Sequence, residues 1–465
     1  ELPRLVRRAV RHYADEISGN FDERVYRVAT RALPPALTVL LNAFSPLSLA
    51  RRMPELPGLD EAIVIQGESE HFRRLREKGT VILVPTHSSN LDSIVIGYAL
   101  YRLGVPPFIY GAGLNLFSNP LISFFMHNLG AYTVDRRKTD PLYKRVLKEY
   151  ATLSIEHGYD NIFFPGGTRS RSGAVERKLK LGLLGTGVVA HANGLKVQRP
   201  QSKVFVVPCT LSYELVLEAE TLIDDFLKEV GKSRYIIDDD EFAKPKRVLE
   251  FMRQAFGLDA KIHGTLGRGV DGFGNDVADD GRSLDPNGRP IDDSLYLYRN
   301  GEIVTDAARD AEYTREVSHR IVDAYAKDNV VTQTNIVAFA MMKLLREKNP
   351  ELSVLRILRT GGMQDDLPLH EVYAEVDRIT AELAKMEQQG KVRRTPSARG
   401  RADDIVADAL ARVSTFHTRL AVVRRGDRLE HRDRNLILYY QNRLEGYGLS
   451  KFPCLTPDHK KLVTS

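Results

Sequence analysis

Short apolar runs alternate with helix-like segments from about residue 80 onward, and this pattern predicts the fold. The strand-like runs are Val81–Val84, Phe108–Tyr110, Asn161–Phe164 and Lys203–Val207. Strands that alternate with helices favour an α/β arrangement. The predicted fold class is therefore α/β, with a sheet flanked by helices and with helical N-terminal and C-terminal parts.

The first fifty residues contain two apolar segments. Apolar positions at helical spacing predict an amphipathic helix over the first of them: Val6, Val10, Tyr13 and Ile17. Arginines lie beside this stripe: Arg4, Arg7, Arg8 and Arg11. The second segment, Ala32–Ala50, is uncharged but interrupted by prolines, which favours a broken or membrane-interfacial segment over a single membrane span. Packing of both segments on the next domain is an equally good interpretation.

Beyond Val330 the pattern becomes helical. Apolar positions step by three and four residues along one long stripe: Leu369, Val372, Val376, Ile379, Leu383 and Met386. A basic run without acidic residues extends from Lys391 to Arg401 and is interpreted as a solvated linker. These changes predict three parts: an N-terminal helical segment (1–55) with a possible interfacial role, an α/β domain (56–330) and a C-terminal helical domain (331–465).

Composition limits the class of protein. The chain has 465 residues, 43% of them hydrophobic and 28% charged, which fits a folded protein with a large core. The net charge of +6 suits an acidic substrate or an anionic membrane surface, and equally an ordinary enzyme. Two cysteines, Cys209 and Cys454, argue against a disulfide framework and a cysteine-rich zinc site, and they favour a reducing cytosolic compartment. No secretory signal is visible.

The first candidate chemistry follows the run Val81–Pro85. This run breaks at its proline and is followed by a histidine and an aspartate five positions apart, His87 and Asp92. In a histidine–aspartate dyad, the carboxylate fixes the imidazole tautomer while the imidazole takes a proton from a hydroxyl. The alternative, from spacing alone about equally good, is a structural histidine and a helix-capping aspartate.

A second polar stretch, Pro165–Gly173, has the composition of an anion site. Its glycines let the backbone approach an anion closely, and hydroxyl and guanidinium groups follow at once. It lacks the Gly-Lys-Ser/Thr ending of a P-loop. Arg136, directly beyond the apolar run Gly130–Val134, is a further candidate for bidentate phosphate binding. The alternative is a glycine-rich turn with solvated arginines.

Together these stretches resemble the motifs of the glycerolipid acyltransferases. His87–Asp92 resembles the H-x4-D motif, Gly130–Arg136 the second motif, Phe164–Ser170 the third and Val207–Tyr213 the fourth. All four occur in the order and at separations similar to those of that family. Four motifs in order are a far more specific signal than one.

Other stretches resemble the glycerol-3-phosphate acyltransferase branch of that family. They are Gly111–Leu116, Ser170–Gly173 and, near the end of the chain, Asp433–Asn442. The chain departs from the family at Gly166, where the third motif usually has a glutamate that is associated with substrate binding. This departure puts the details of the polyol pocket in question.

The resemblance implies a glycerolipid-acyltransferase-like sheet and an enzyme of phospholipid biosynthesis. It would transfer a fatty acyl group from acyl-CoA or acyl-ACP to the 1-hydroxyl of glycerol 3-phosphate, forming lysophosphatidic acid. His87 would act as the base and Asp92 would position it. The resemblance also implies the residues that bind the substrate phosphate: Arg136, Gly167, Thr168, Arg169 and Ser170. No metal, cofactor or covalent intermediate is implied.

Three alternatives stay open. The acceptor could be lysophosphatidic acid or dihydroxyacetone phosphate. The chain could instead be a catalytically silent phospholipid-binding protein, which the departure at Gly166 supports.

Gly185–Ala190 also fits the dinucleotide pattern G-x-G-x-x-A, but the acidic residue expected at the end of the next strand is absent. Those glycines are better interpreted as close helix packing.

A membrane role is also expected. The stretch Phe108–Val134 carries no formal charge unless His127 is protonated, and it suits an apolar surface or tunnel for a lipid tail. With Ala32–Ala50 it predicts peripheral or interfacial attachment to the cytoplasmic face of the cell membrane, with anionic lipid as the partner surface. The basic run Lys391–Arg401 lacks interleaved aromatic residues, so no nucleic-acid partner is expected.

Overall fold

A computed structural model of the chain describes most of its residues. The described ranges are 2–27, 59–113, 128–135, 137–230, 260–362, 365–415, 417 and 419–452. Some of the sequence predictions fall outside them: the segment Ala32–Ala50, residues 114–127 of the long uncharged stretch, and Arg136.

Helices precede, separate and follow the main strands. In chain order they are α1 (Leu2–Ile17), α2 (Leu59–Ala62), α3 (Ser69–Lys78), α4 (Asp92–Arg102), α5 (Pro141–Glu156), α6 (Leu181–Leu184), α7 (Thr186–Lys196), α8 (Ala219–Val230), α9 (Ala307–Asp328), α10 (Gln333–Lys348), α11 (Val354–Thr360), α12 (Leu369–Gln388), α13 (Ala402–Thr415) and α14 (Arg434–Gln441).

The strands range from two to ten residues. They are β1 (Ile63–Gly67), β2 (Thr80–Pro85), β3 (Ile109–Gly113), β4 (Ala131–Val134), β5 (Asn161–Ile162), β6 (Val204–Tyr213), β7 (Ile262–Leu266), β8 (Val270–Asp271), β9 (Asp276–Val277), β10 (Ser283–Leu284), β11 (Pro290–Ile291), β12 (Tyr298–Arg299), β13 (Glu302–Ile303), β14 (Val330–Val331), β15 (Asp366–Pro368), β16 (Arg393–Arg394), β17 (Val422–Arg425) and β18 (Arg428–His431).

One large sheet organises the fold, and β2 and β6 lie at its centre. The strand order is β11-β10-β9-β8-β6-β2-β5-β3-β4, and β7 joins β6 to β1. The strands from β6 to β4 along this order pair in parallel, whereas β7 and β8 run antiparallel to β6. A mixed sheet with helices between its parallel strands confirms the predicted α/β class.

The central strand β2 is buried on both faces. Val81 and Leu83 belong to one hydrophobic core, and Ile82 and Val84 belong to another. Successive side chains of a strand point to opposite sides of the sheet, so the two cores cover its two faces. A strand buried on both faces needs a continuous apolar run rather than an alternating one, which explains the sequence of β2.

The predicted strands differ from the observed ones mainly at their ends. β5 stops at Ile162, because the chain turns at Pro165 and Gly166. β6 extends beyond the predicted run, through Pro208 to Tyr213, because this half of the strand pairs with β7. This extension brings Tyr213 to the candidate site.

The pattern Gly185–Ala190 lies at the junction of α6 and α7. Leu181–Leu184, which precedes it, is helical rather than a strand. A methyl group added to Gly187 would come within 3.0 Å of Ile82 and 3.4 Å of Val204. These contacts confirm close helix packing as the reason for this glycine.

The helices beyond residue 331 share a core with the sheet domain. Phe339 of α10, Val376 of α12 and Ile437 of α14 belong to the same hydrophobic cluster as Val81 and Leu83 of β2. Five positions of the predicted α12 stripe are buried, and the sixth is partly buried: Leu369, Val372, Val376, Ile379, Leu383 and Met386. The stripe is therefore confirmed as core, while the division near residue 331 stays a prediction.

The interpretation of the basic run as a solvated linker is wrong. Arg393 and Arg394 form β16, which pairs in parallel with β14. Arg394 pairs with Glu387, and Arg393 pairs with Asp328. The acidic partners are distant in sequence or belong to the preceding helix, so the run alone did not predict them.

Helix α1 is docked by its C-terminal half. Ile17 is buried in a small cluster with Tyr132 and Tyr143, and Tyr13 packs edge-on against Tyr143. The apolar residues of the N-terminal half remain exposed: Leu2, Leu5, Val6 and Val10. In the part of the chain that the structure describes, none of the helices is both long and apolar enough to cross a membrane.

Candidate active site

Polar groups gather where β2 ends. Thr86 prolongs the pairing with β6, because its amide donates to the Cys209 carbonyl and its hydroxyl accepts from the Leu211 amide. His87 follows in a turn, and Asp92 begins α4. The site therefore lies beyond the carboxyl ends of parallel strands, where α/β sheets bind their ligands.

His87 and Asp92 are in hydrogen-bond contact. His87 Nδ1 lies 2.8 Å from Asp92 Oδ2, and because a carboxylate only accepts, Nδ1 carries the proton. The same oxygen accepts from the amides of Ser88 and Ser89 at 2.7 and 3.0 Å. Tyr213 donates its hydroxyl to the other oxygen, Oδ1, at 2.5 Å. Asp92 is thus fixed by four donors, and it leaves His87 Nε2 for a substrate.

The two members of this dyad differ in exposure. The side chain of Asp92 is 0% exposed and that of His87 is 14% exposed. The His87 ring stacks on Phe164 with ring centroids 4.3 Å apart. Burial raises the pKa of Tyr213 well above its ordinary value, so its hydroxyl stays a donor to Asp92. The imidazole therefore has one fixed orientation and an edge that reaches the surface.

The third-motif loop (Phe164–Gly173) is bonded directly to the histidine turn. The Ser170 amide donates to the His87 carbonyl at 2.7 Å. The Ser170 hydroxyl donates to the Ala174 carbonyl at 2.7 Å, so it helps to hold its own loop. The Gly167 amide donates to the Phe164 carbonyl, and Gly167 has a φ of +76°, a conformation that favours glycine. Of the amides predicted to bind phosphate, that of Gly167 is therefore already bonded within the loop.

Arg169 is anchored by a buried glutamate. Its guanidinium lies 3.3 Å from Glu218 Oε1. Glu218 also accepts from the Ser89 hydroxyl at 2.8 Å and from the Asn90 amide at 2.9 Å. Burial raises the pKa of Glu218, and the positive charge of Arg169 opposes that rise. Glu218 thus connects the cation of the third-motif loop to the turn that carries the dyad.

A lysine that was given no role from the sequence lies over the same loop. A methyl group added to Gly167 would be 2.8 Å from Lys180 Nζ. The Lys180 amide donates to the Pro165 carbonyl at 2.7 Å, and this bond brings the chain back beside the loop fifteen positions after Pro165. Lys180 is exposed and Thr168 is exposed as well. The loop therefore presents an ammonium group and a hydroxyl to solvent.

Glu176 contacts the turn that carries His87. Its Oε1 accepts from the His87 amide at 2.8 Å. Its other carboxyl oxygen, Oε2, is buried, and within the described residues it has no hydrogen-bond partner. Burial raises the pKa of Glu176 to about 8, an effect that the His87 amide and Arg443 oppose and that Asp92 increases. The dyad therefore has a second acidic group beside it, which the sequence did not reveal.

The C-terminal stretch closes one side of the site. The Asn442 side chain donates to the Ser172 carbonyl at 2.9 Å, and the Tyr439 carbonyl packs against Gly173. Arg443 is buried and donates to the Leu211 carbonyl at 2.6 Å. The Asp433–Asn442 stretch and the third motif are thus neighbours in space although they are about 270 residues apart in sequence.

The predicted site residues are distributed as follows. The structure brings together His87, Asp92, Arg169 and Ser170, whereas Arg136 lies outside the described residues. Arg171, in the same loop, pairs with Glu229. The supporting groups that the sequence did not single out are Glu176, Lys180, Tyr213, Glu218 and Arg443. Only Tyr213 lay within a motif, the fourth, and that motif was the available signal for it.

An apolar cavity lies behind α4. It is lined by residues of β1, β2, α4, β6 and β7: Ile63, Ile65, Leu83, Val95, Ile96, Ala99, Leu100, Leu103, Cys209, Leu211, Gly264 and Leu266. Its volume of about 20 Å³ is that of a single small group. It is therefore too small for an acyl chain, and the predicted tunnel near Phe108–Val134 stays a prediction.

Residues 67–212 match the family model described as Acyltransferase. This span runs from the end of β1 almost to the end of β6 and contains both the dyad and the third-motif loop. The part of the chain that carries the four motifs is therefore similar to the acyltransferase family, which agrees with the resemblance predicted from those motifs.

The chain is also similar to proteins named glycerol-3-phosphate acyltransferase. The one from Aeromonas hydrophila is 32% identical over 211 residues, which cover 45% of this chain and 23% of that protein. The one from Shewanella sp. (strain W3-18-1) is 29% identical over 267 residues, which cover 57% of this chain and 28% of that protein. The chain thus matches about a quarter of the length of these relatives.

A solved structure, that of the 1-acyl-sn-glycerophosphate (LPA) acyltransferase from Thermotoga maritima, also matches. It covers 64% of this chain and 91% of its own, with 16% identity and a TM-score of 0.28. A TM-score this low carries no argument about the fold.

Proposed function

We propose that this protein transfers a fatty acyl group from an acyl thioester to the 1-hydroxyl of glycerol 3-phosphate. The observation that carries the proposal is the His87–Asp92 dyad, in which a buried carboxylate with four donors orients an imidazole whose edge reaches the surface. The similarity to glycerol-3-phosphate acyltransferases supports the choice of acceptor. The donor is proposed as acyl-CoA or acyl-ACP.

The chemistry needs one base and two bond changes. His87 Nε2 removes the proton of the acceptor hydroxyl as its oxygen attacks the thioester carbonyl carbon. The C–O bond forms, the C–S bond then breaks, and the imidazolium returns the proton to the leaving thiolate. Asp92 stabilises the imidazolium through Nδ1, and the direct attack requires no covalent enzyme intermediate.

The phosphate of the acceptor is proposed to bind at the third-motif loop. Arg169 is held there by Glu218, and Lys180 lies beside Gly167. A guanidinium offers paired donors to a phosphate, and an ammonium adds a compact charge. Thr168 adds a hydroxyl at the exposed end of the loop. Arg136 and Ser170 stay candidates from the sequence.

The test is an acyl-transfer assay with purified protein. Labelled glycerol 3-phosphate and either acyl-CoA or acyl-ACP are expected to give labelled lysophosphatidic acid. His87→Ala and Asp92→Asn should each reduce kcat by about 10²–10⁴-fold, the usual contribution of a general base. His319→Ala, a change at an exposed histidine of α9, is the matched control and should leave the rate unchanged.

The result also separates the alternatives. Transfer to lysophosphatidic acid or to dihydroxyacetone phosphate, but not to glycerol 3-phosphate, would replace the acceptor in the proposal. Binding of phospholipid without transfer from either thioester would identify a silent binding protein. Near-normal turnover in the His87 variant would overturn the assignment of the base.

We further propose that the protein works at an anionic membrane surface on the cytoplasmic side. Four apolar side chains of α1 are between 38% and 73% exposed: Leu2, Leu5, Val6 and Val10. Arginines of the same half-helix are exposed beside them: Arg4, Arg7, Arg8 and Arg11. A helix with this distribution lies in the interface of a bilayer, with its apolar side chains among the acyl groups and its basic side chains at the phosphates.

A further inference from the structure

Gly166 is a glycine for a reason that lies elsewhere in the chain. Its φ is outside the left-handed region, unlike that of Gly167, so its backbone conformation does not demand glycine. A methyl group added to Gly166 would instead come within 2.6 Å of the carboxyl group of Glu176. A side chain at position 166 would therefore displace the Glu176 carboxyl group from the place where it accepts from the His87 amide.

The carboxyl group of Glu176 does more than fill space. Oε1 accepts the hydrogen bond of the His87 amide at 2.8 Å. That amide belongs to the residue whose side chain forms the dyad, and the His87 carbonyl is held in turn by the Ser170 amide. The backbone of His87 is thus fixed on one side by Glu176 and on the other by the third-motif loop.

The cost of keeping Glu176 here argues for a role. Its Oε2 is buried, and in the described part of the chain it has no partner. A buried carboxyl oxygen without a hydrogen-bond partner opposes folding unless its position provides something else. An apolar residue would fill the same space at lower cost, but it could not accept from the His87 amide.

We infer that Glu176 is a positioning residue for the His87–Asp92 dyad. Its carboxyl group lies against Gly166 and holds the His87 backbone in the orientation that the reaction needs. Glu176 and Gly166 depend on each other, because a side chain at position 166 would meet the Glu176 carboxyl group. The inference deepens the proposed acyl transfer and rests on it for its kinetic readout.

The test separates the hydrogen bond from the packing. Glu176→Gln keeps an acceptor for the His87 amide, and we expect kcat within about three-fold of the wild type. Glu176→Ala removes the acceptor, and we expect kcat to fall at least ten-fold with the KM for glycerol 3-phosphate little changed. Glu375→Gln, at a buried glutamate of α12 that pairs with Lys343 and Arg378, is the control for a glutamate-to-glutamine change outside the site.

A double-mutant cycle that measures Tm tests the coupling between Gly166 and Glu176 without any substrate. Gly166→Ala should lower the Tm of the wild type by several degrees, because the methyl group meets the Glu176 carboxyl. In the Glu176→Ala background the same change should lower the Tm much less or raise it, because the space is then vacant. The double variant should recover stability but not kcat, since it still lacks the acceptor.

If the wild type is active, any of these outcomes would overturn the inference: wild-type kcat in folded Glu176→Ala, recovery of kcat in the double variant, or equal effects of Gly166→Ala in both backgrounds. A wild type that transfers no acyl group would instead remove the proposed function. The NMR signal of the His87 ring then remains as the measure of positioning. It should move in Glu176→Ala and stay in place in Glu176→Gln and Glu375→Gln, and an unmoved signal in Glu176→Ala would overturn the inference.

Discussion

Arg169 pairs with Glu218 and is also proposed to bind the substrate phosphate, so its replacement should affect both stability and affinity. Glu218 holds the guanidinium in the folded protein, and the proposed substrate phosphate would bind the same guanidinium. Removing the arginine would therefore weaken phosphate binding and also leave Glu218 buried without its counter-charge. Stability and affinity must be measured separately.

Arg169→Ala should raise the KM for glycerol 3-phosphate by about 10- to 100-fold and change the thioester KM little. A charge-assisted phosphate contact contributes about 1.5–3 kcal/mol. Steady-state kinetics with each substrate varied in turn provide the measurement. Arg169→Ala with Glu218→Gln should regain thermal stability without regaining affinity, and equal changes in both KM values would place Arg169 outside the phosphate site.

Glu176, the partly buried acid beside the dyad, predicts a pH dependence of stability. Burial raises the pKa of Glu176 from 4.5 to about 8, so the folded state holds this proton more tightly than the unfolded chain. The associated stability is complete below pH 4.5 and is lost as the pH rises towards 8, by up to about 1.4 kcal/mol per pH unit. Denaturant unfolding between pH 5 and 9 should therefore show a shallower decline in Glu176→Gln, and parallel curves would show that Glu176 does not hold this proton.

Among the elements, α1 has two halves with different surroundings. Its C-terminal half packs on α5 through Tyr13 and Ile17, whereas its N-terminal half exposes apolar and basic residues together. A firmly docked end gives the exposed half a fixed direction relative to the site. The same arrangement makes the helix testable without disturbing the core.

Arg7→Glu with Arg8→Glu should weaken binding to anionic vesicles. Each basic residue near such a surface contributes about 1 kcal/mol, so the pair should reduce the partition coefficient about thirty-fold or more. Vesicle sedimentation at low and high salt measures it, and salt should weaken wild-type binding as well. Arg424→Glu with Arg425→Glu, an equal charge change on β17, is the control; equal losses in both variants would mean that α1 has no special role.

At the scale of the whole molecule, Arg443 joins the C-terminal part to the sheet. Its guanidinium donates to the Asn329 side chain, the Leu211 carbonyl and the Ser212 hydroxyl. All three acceptors are buried, and removal of Arg443 takes from each of them a hydrogen bond with a charged donor, which is worth about 1.5–3 kcal/mol. The acyltransferase domain and the C-terminal helices should therefore unfold together.

Arg443→Ala should lower the free energy of unfolding by about 3 kcal/mol or more, with loss of activity at the same denaturant concentration as loss of helix signal. Circular dichroism and acyl transfer measured across one urea series provide the comparison. Arg346→Ala, a basic residue of α10 that lies over the Phe452 ring, is the control for removing an arginine from the same region. Two separate transitions would show that the two parts fold independently.

Local patterns predicted the elements that depend on local sequence. The apolar run of β2 and the stripe of α12 needed no information from elsewhere, and His87 with Asp92 lay within one motif. Glu176 and Glu218 could not be found in this way, because they bond to a turn 89 and 128 residues away in the chain. The basic run at Arg393 and Arg394 was misinterpreted for the same reason, since its partner strand β14 is distant in sequence.

The contact between Gly166 and Glu176 also bears on how this sequence can change over time. A larger residue at 166 meets the acid, and loss of the acid leaves a vacancy beside Gly166. Each single replacement is thus disfavoured, while a paired replacement can be tolerated. We expect the two positions to vary together among descendants of this chain, so that a glycine at the first is inherited with an acid ten residues later.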